Sequence, residues 1–401
     1  MHRHRSAVSV FLILLTLPFF QCRPVPSHDR TLSRPRNIIL FIGDGMGAAH
    51  RQAARLAAGG QLAMDRLPVQ GGFYTGSANS AVTDSAAAAT AMATGVKTYN
   101  GLLGMSPDQT VLTTILEQAR HQGKSVGLIT NTKVTHATPA GFAAHVPDRR
   151  MFTAIAGQMA AAGIDVLLGG GEDDFLPDSA TGCFPGKGHR TDHRNLIEEM
   201  RKSGYTCVCG PEEFSALQPA KAGKLLGLFS DDGMERPFAP TLADMTAKAL
   251  AILGKDPDGF FLMVEGGQID WAGHDNDAAN AIGDTLDLDR AVAVAAGFAA
   301  RDGRTLLIVT ADHETGGMAV SARPTGRADE DGPFKTADDG TFYVTWETRQ
   351  HTGLPVPVTA CGPGSAPLQG EHENTFLHTV MKQALPEPEA ANPIPQPANA
   401  M

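Results

Sequence analysis

Five short runs of apolar, strand-forming residues recur along this chain, and three of them end on residues of the kind that bind metals. The runs are Asn37-Ile-Ile-Leu-Phe-Ile42, Ser125-Val-Gly-Leu-Ile-Thr130, Ile164-Asp-Val-Leu-Leu168, Phe260-Phe-Leu-Met-Val264 and Thr305-Leu-Leu-Ile-Val309. A strand with one face in water alternates apolar and polar residues, so continuous runs predict strands covered on both faces by the helical segments between them. The expected architecture is α/β: a large, mostly parallel central sheet with helices on both faces, in a single domain with small peripheral insertions. At 401 residues, 42% of them apolar, the chain has material for one such core. Gly169 to Pro240, rich in Gly, Pro and charge, is expected to form peripheral turns and a small excursion, and Arg323 to Asp339 an exposed loop insertion.

The two ends read differently. Met1-His-Arg-His-Arg5 followed by Val8 to Leu17 has the basic start and short apolar core of a secretory signal, expected over residues 1–22. The chain is therefore expected to be exported, periplasmic or extracellular. Cys22 offers a lipid-anchored alternative, the one route by which this chain would meet a membrane, although Gln21 stands where such a signal wants a small residue. Residues 387–401 are Pro-rich and unsuited to a core, so a disordered tail is expected there. Besides Cys22 there are four cysteines, Cys183, Cys207, Cys209 and Cys361, an even number compatible with disulfides whose pairing is not readable. Cys207-Val-Cys209 lacks the spacing of a structural zinc knuckle and reads as disulfide or free thiols. A formal net charge of −10 and the lack of a long basic block argue against a nucleic-acid surface.

Chemistry gathers at the ends of the runs, where open α/β sheets bind ligands. The first run leads into Asp44-Gly-Met-Gly47 and the fifth into Asp312-His313. The fourth opens Glu265-Gly-Gly-Gln-Ile-Asp270-Trp-Ala-Gly-His274. In that stretch an acid and an imidazole lie four residues apart, one helical turn, and can share a target. Asp312-His313 sets an oxygen and a nitrogen ligand side by side, a pairing suited to Zn²⁺. Elsewhere Thr83-Asp84-Ser85-Ala-Ala-Ala-Ala reads as a helix start with small residues that leave the Ser85 hydroxyl uncrowded near anion-attracting N–H groups. No Gly-x-Ser-x-Gly elbow surrounds Ser85, so activation by a metal suits it better than a base-activated triad.

Taken together, Asp44-Gly-Met-Gly, Thr83-Asp84-Ser85-Ala-Ala, His136-Ala-Thr138-Pro-Ala with Arg149, Glu265 to His274, Thr310-Ala-Asp312-His313 and His351-Thr-Gly resemble the bacterial alkaline phosphatase family, in its order, from Asn37 to about Leu385. The resemblance implies a catalytic domain over 34–386, Ser85 as a phosphorylated nucleophile and Arg149 as a phosphate clamp. It implies one Zn²⁺ on Asp270, His274 and His351 and a second on Asp44, Asp312 and His313. It also implies a third metal, usually Mg²⁺, reached by Asp44, Thr138 and Glu265, and a homodimer. Two positions depart from the best-studied bacterial pattern. His136 stands near the third metal where an Asp is often found, which leaves that ion's identity open, and Trp271 replaces a Lys that often reaches phosphate through water.

The implied reaction is hydrolysis of small phosphomonoesters through a phosphoserine. Four carboxylates against three divalent ions and Arg149 give such a site a local charge of about +3, enough to attract a phosphate dianion to an acidic molecule. A phosphodiesterase or sulfatase of the wider superfamily is the nearest alternative, and a silent phosphate- or metal-binding protein a more distant one. Cys183-Phe-Pro-Gly-Lys187 imitates a sulfatase motif with Lys for Arg, and Gly123-Lys-Ser125 imitates the end of a P-loop without its first Gly. His145, His189, His193 and His372 read as ordinary surface or packing histidines.

Overall fold

The computed structural model describes residues 34–385; the signal-like segment, Cys22 and the Pro-rich tail lie outside the described residues. In chain order the strands are β1 (Asn37–Gly43), β2 (Val69–Tyr74), β3 (Ser125–Lys133), β4 (Val166–Gly170), β5 (Tyr205–Val208), β6 (Lys224–Leu228), β7 (Phe260–Gly266) and β8 (Thr305–Thr310). They continue with β9 (Glu314–Thr315), β10 (Ala319–Ser321), β11 (Asp331–Lys335), β12 (Thr341–Thr345), β13 (His351–Thr352), β14 (Val356–Cys361) and β15 (Gly370–Glu373). Ten of them form one sheet in the order β15-β2-β14-β8-β1-β7-β3-β4-β6-β5. Only β14 runs antiparallel to its neighbours, β2 and β8, and the remaining pairs are parallel.

The five apolar runs all lie in this sheet, and β1, β7 and β8 are buried along their whole lengths. Their register positions the chemistry. Ile42 of β1 lies beside Glu265 of β7 on one side and Thr310 of β8 on the other, and Thr130 of β3 lies beside Glu265. Adjacent strands are about 4.8 Å apart. Side chains leaving the carboxyl ends of β1, β7 and β8 therefore start within reach of a shared ion although β1 lies more than 200 residues before the other two in sequence.

Three local structures complete that edge. The Ser85–Thr94 helix is buried at all ten positions, because alanines and threonines let neighbours approach from every side. Its N-cap is Asp84, whose carboxylate accepts the Ala87 N–H at 2.9 Å. The Gln268–Asp275 helix begins just after β7 and ends on Asn276 in the left-handed conformation, so that Asp270 and His274 share one face. The β9–β13 pair sets His351 opposite Thr315 and Thr352 opposite Glu314, which returns a distant segment to the site.

Two expectations about the periphery are corrected. Gly169 to Pro240 is not only turns: β5 and β6 extend the central sheet, formed by the short runs Tyr205-Thr-Cys-Val and Lys224-Leu-Leu-Gly-Leu, whose strand signal is masked by the surrounding glycines and charges. Arg323 to Asp339 is largely exposed, yet it contains β11, which pairs with β12 and through it with β10 in a three-stranded sheet. That small sheet is held by a second apolar cluster in which Phe342, Val344, Trp346 and Met318 pack on Ala272, Ala278 and Ile282. It therefore backs the helix carrying Asp270 and His274. Cys183 and Cys209 form a disulfide and the Cys207 thiol is free.

Candidate metal and phosphate site

Asp44, Glu265, Asp312, His313 and Thr138 are all buried to the point of zero exposure, and Ser85 is 1% exposed among them. Three groups offer ligand atoms within 4.8 Å of one another: Asp44 with Asp312 and His313, Asp44 with His136 and Glu265, and Asp270 with His313 and His351. His274 joins the last group. Its Nε2 lies 3.4 Å from Asp270 Oδ1 and 3.1 Å from His351 Nε2, while His351 Nε2 is 3.5 Å from the same oxygen. His313 falls between the groups, stacked on the His351 ring at 3.6 Å between centroids, with Nε2 3.4 Å from Asp44 Oδ1 and 3.2 Å from Asp312 Oδ2.

The donor set fits divalent cations. Both carboxylate oxygens of Asp44, one of Asp312, one of Glu265, the Thr138 hydroxyl and His136 Nδ1 are buried without a hydrogen-bond partner. Buried polar atoms are rarely left so, and several oxygens facing one another ask for positive charge. The acidities of these groups carry the same tension. Burial, reinforced by the charges of Asp312, Asp270 and Glu265, holds Asp44 well above the usual carboxylate range. Burial pushes Glu265 up to about 7 and Asp312 up to about 6. For Asp270 burial is outweighed by the hydrogen bond with His274 and the neighbouring imidazoles, so it is held low, and the same bond lifts His274 to about 9. Burial brings His136 down to about 3 and His313 well below its ordinary value, which keeps both rings in the neutral form that a metal accepts.

Ser85 stands at the first turn of its helix with Oγ 3.2 Å from His313 Nε2. That contact does not make a triad, because the same nitrogen also faces Asp44 and Asp312. Arg149 NH1 donates to Asp84 Oδ2 at 3.1 Å, and NH2 lies 3.3 Å from His136 Nε2. The guanidinium is thereby held beside the residue that precedes Ser85, with its side chain a quarter exposed at the site's opening. Trp271 stands edge-on to His136 with 6.2 Å between ring centroids. The candidate ligands, Ser85, Arg149 and Trp271 thus lie together at one end of the sheet. The lookalikes stay out: Cys183 is in the disulfide, Lys124 Nζ is bonded to the Arg36 carbonyl at 2.9 Å, and His145 is tied to Glu117 and the Gly104 carbonyl.

The family described as alkaline phosphatase matches residues 35–342. The chain belongs to the alkaline phosphatase family. Alkaline phosphatase 3 of Bacillus subtilis is 34% identical over 87% of this chain and 89% of its own length. Streptomycin-6-phosphate phosphatase of Streptomyces griseus is 36% identical over 95% of this chain and 97% of its own. Among solved structures, alkaline phosphatase from the Antarctic bacterium TAB5 superposes with a TM-score of 0.76 at 31% identity, covering 88% of this chain and 98% of that one. A variant of it with a histidine replaced by aspartate has Mg bound in its M3 site. The chain is a phosphatase by family, by relatives and by fold.

Sequence reasoning missed the residues that hold the alkaline phosphatase ligands in place. Asp84 reads in the sequence only as part of a helix start, yet its carboxylate takes the Ala87 and Gly101 N–H groups as well as Arg149. Asn131 went unnoticed; its Oδ1 accepts the Gly267 and Gln268 N–H groups at 2.7 and 3.2 Å and so fixes the start of the Gln268–Asp275 helix. Thr130 donates to Glu265 Oε2 at 2.5 Å. Asp84 could have been found as the neighbour of a proposed nucleophile. Nothing in the spacing marks Asn131.

Proposed function

We propose that this chain hydrolyses phosphate monoesters to an alcohol and inorganic phosphate through a phosphoserine at Ser85, with two Zn²⁺ and one Mg²⁺. The reading is carried by one observation: three overlapping ligand groups have unpartnered buried oxygens, and His313, shared by two of them, lies 3.2 Å from the buried Ser85 Oγ. Asp270, His274 and His351 would hold one zinc, Asp44, Asp312 and His313 the other, and Asp44, His136, Thr138 and Glu265 the third ion. Divalent ions held there supply Lewis-acid stabilisation of charged oxygens and lower the pKa of a nearby hydroxyl or water.

The chain's own residues do the rest. Arg149, oriented by Asp84, pairs two phosphate oxygens with its planar fork, and Trp271 lines the approach beside His136. Ser85 Oγ attacks phosphorus in line with the ester oxygen; the Ser–O–P bond forms as the bond to the alcohol breaks. Water then attacks the phosphoseryl phosphorus, Ser85 leaves as an oxyanion and is reprotonated, and phosphate is released. Two in-line displacements retain configuration at phosphorus. The substrate named for the Streptomyces griseus relative is a phosphomonoester, which favours monoesters here over diesters.

Hydrolysis of a chromogenic monoester beside a diester at alkaline pH, with elemental analysis of the same sample, tests this reading. Monoester preference with zinc present is expected. A chain that turns over the diester faster, or works without bound metal, would refute it.

A further inference from the structure

We propose that Thr315 is a positioning residue that couples the two zinc groups: its one hydroxyl holds Asp270 of the first and fixes the ring tautomer of His313 in the second. The inference rests on the metal-dependent reading above and goes beyond it, because Thr315 belongs to none of the ligand groups.

Thr315 is fully buried in β9, opposite His351, and its N–H donates to the Gly45 carbonyl at 3.1 Å. Its Oγ1 lies 2.5 Å from Asp270 Oδ1 and 3.3 Å from His313 Nδ1. A hydroxyl has one proton to give and lone pairs to offer, whereas an ionised carboxylate can only accept. The Thr315 proton therefore goes to Asp270, and a lone pair faces His313. Nδ1 of His313 must then carry its own proton to make the second bond, and no other group among the described residues hydrogen-bonds that nitrogen. A neutral ring protonated on Nδ1 has a free lone pair on Nε2. That is the nitrogen 3.2 Å from Ser85 Oγ, 3.2 Å from Asp312 Oδ2 and 3.4 Å from Asp44 Oδ1. One proton placed on one side chain thus aims ligands of both groups.

The rest of the side chain is shaped for the same task. A Cβ on Gly45 would stand 2.7 Å from Thr315 Oγ1, and one on Gly273 would stand 3.0 Å from its Cγ2. The two glycines let the loop after β1 and the helix carrying Asp270 close on the threonine, and its methyl is seated against that helix. A β-branched side chain so packed is confined in χ1, which keeps the hydroxyl pointed between its partners. Such partners of ligating groups commonly govern metal affinity by about 10–100-fold.

Wild type, Thr315→Val and Thr315→Ser distinguish this role from simple packing, since Val keeps the shape without the hydroxyl and Ser keeps the hydroxyl without the methyl. Zinc retained per chain is measured against graded chelator, and the His313 imidazole ¹⁵N shifts are read in the metal-free proteins. Zinc is expected to bind about 10–100-fold more weakly in the Val variant, with loss from both positions and a mixed His313 tautomer. The Ser variant is expected to lose less than about tenfold and to keep the proton on Nδ1. Wild-type zinc affinity in the Val variant, an equal loss in both variants, or a wild-type His313 protonated on Nε2 would overturn the proposal. The wild-type tautomer and the Ser variant decide the matter even if the Val variant fails to fold. A wild-type chain that binds no zinc would instead overturn the functional reading on which this one stands.

Discussion

Ser85 Oγ and the ligand atoms around it answer different questions, and substitutions separate them. The carboxylates and imidazoles proposed as zinc ligands do not include the Ser85 hydroxyl, so Ser85→Ala is expected to keep its zinc while losing at least about 10³-fold in kcat. Turnover near the wild-type rate in a zinc-replete Ser85→Ala protein would place the nucleophile elsewhere. Glu265 supports a second prediction, through pH. Burial pushes its folded-state pKa up to about 7, against about 4.3 in an unfolded chain. Between those values the metal-free folded chain holds a proton that the unfolded chain has lost, so its contribution to stability is full below about pH 4 and falls as pH rises towards 7. Glu265→Gln removes that titration. Chelated wild type is therefore expected to lose stability relative to chelated Glu265→Gln across this window, by on the order of 1 kcal/mol per pKa unit. Denaturant titrations of both proteins at pH 5 and pH 8 check the sign; a wild type that loses no stability relative to Glu265→Gln between the two pH values would show that Glu265 is not held protonated.

At the level of elements, placement depends on close contacts between small residues. Gly141 ends the short Ala137–Ala140 helix in ordinary right-handed backbone, so its lack of a side chain is not needed for its φ. It is needed for space, because a Cβ there would stand 2.7 Å from Ala89 Cβ on the Ser85–Thr94 helix. Gly141→Ala is expected to push apart the helix that carries Ser85 and the one that carries Thr138, at a cost of about 1–3 kcal/mol. An unchanged unfolding midpoint would mean that the two helices can part without loss. Elements also differ in how readily they could be read from the sequence. The five continuous apolar runs announced their strands, since burial on both faces leaves an unbroken signal. β5 and β6 have four and five residues and sit among glycines, prolines and charges, and β11 is mostly exposed, so neither periodicity nor hydropathy distinguished them from loop. Their strand character comes from neighbours already in place.

Across the whole molecule, a net charge of −10 coexists with a site that attracts anions once its ions are bound, because screening confines each charge's influence to about 10 Å. The peripheral segment illustrates the converse separation of stability from chemistry. The Cys183–Cys209 bond spans 26 residues of sequence outside the ligand groups, and a loop of that size is stabilised by about 3 kcal/mol. A Cys183→Ser, Cys209→Ser protein is expected to unfold at lower denaturant by up to that amount, while folded molecules keep their zinc and turnover. Loss of zinc from the folded double variant would tie the excursion to the site after all.

The class of fold, the edge of the sheet where chemistry gathers and the identities of the side chains that converge there are legible in the order of residues alone. Those follow from local signals: unbroken apolar runs, ligand residues at run ends and motifs whose order along the chain carries the family resemblance. Which oxygens are left without partners, the place of His313 between two groups, the hold of Asp84 on Arg149 and the position of Thr315 between Asp270 and His313 emerge only in the folded chain. The physical reason is range. Burial and strand propensity are properties of a few consecutive residues, whereas a hydrogen bond or a shared ion needs atoms within about 3–4 Å, and here those atoms come from segments tens to hundreds of residues apart.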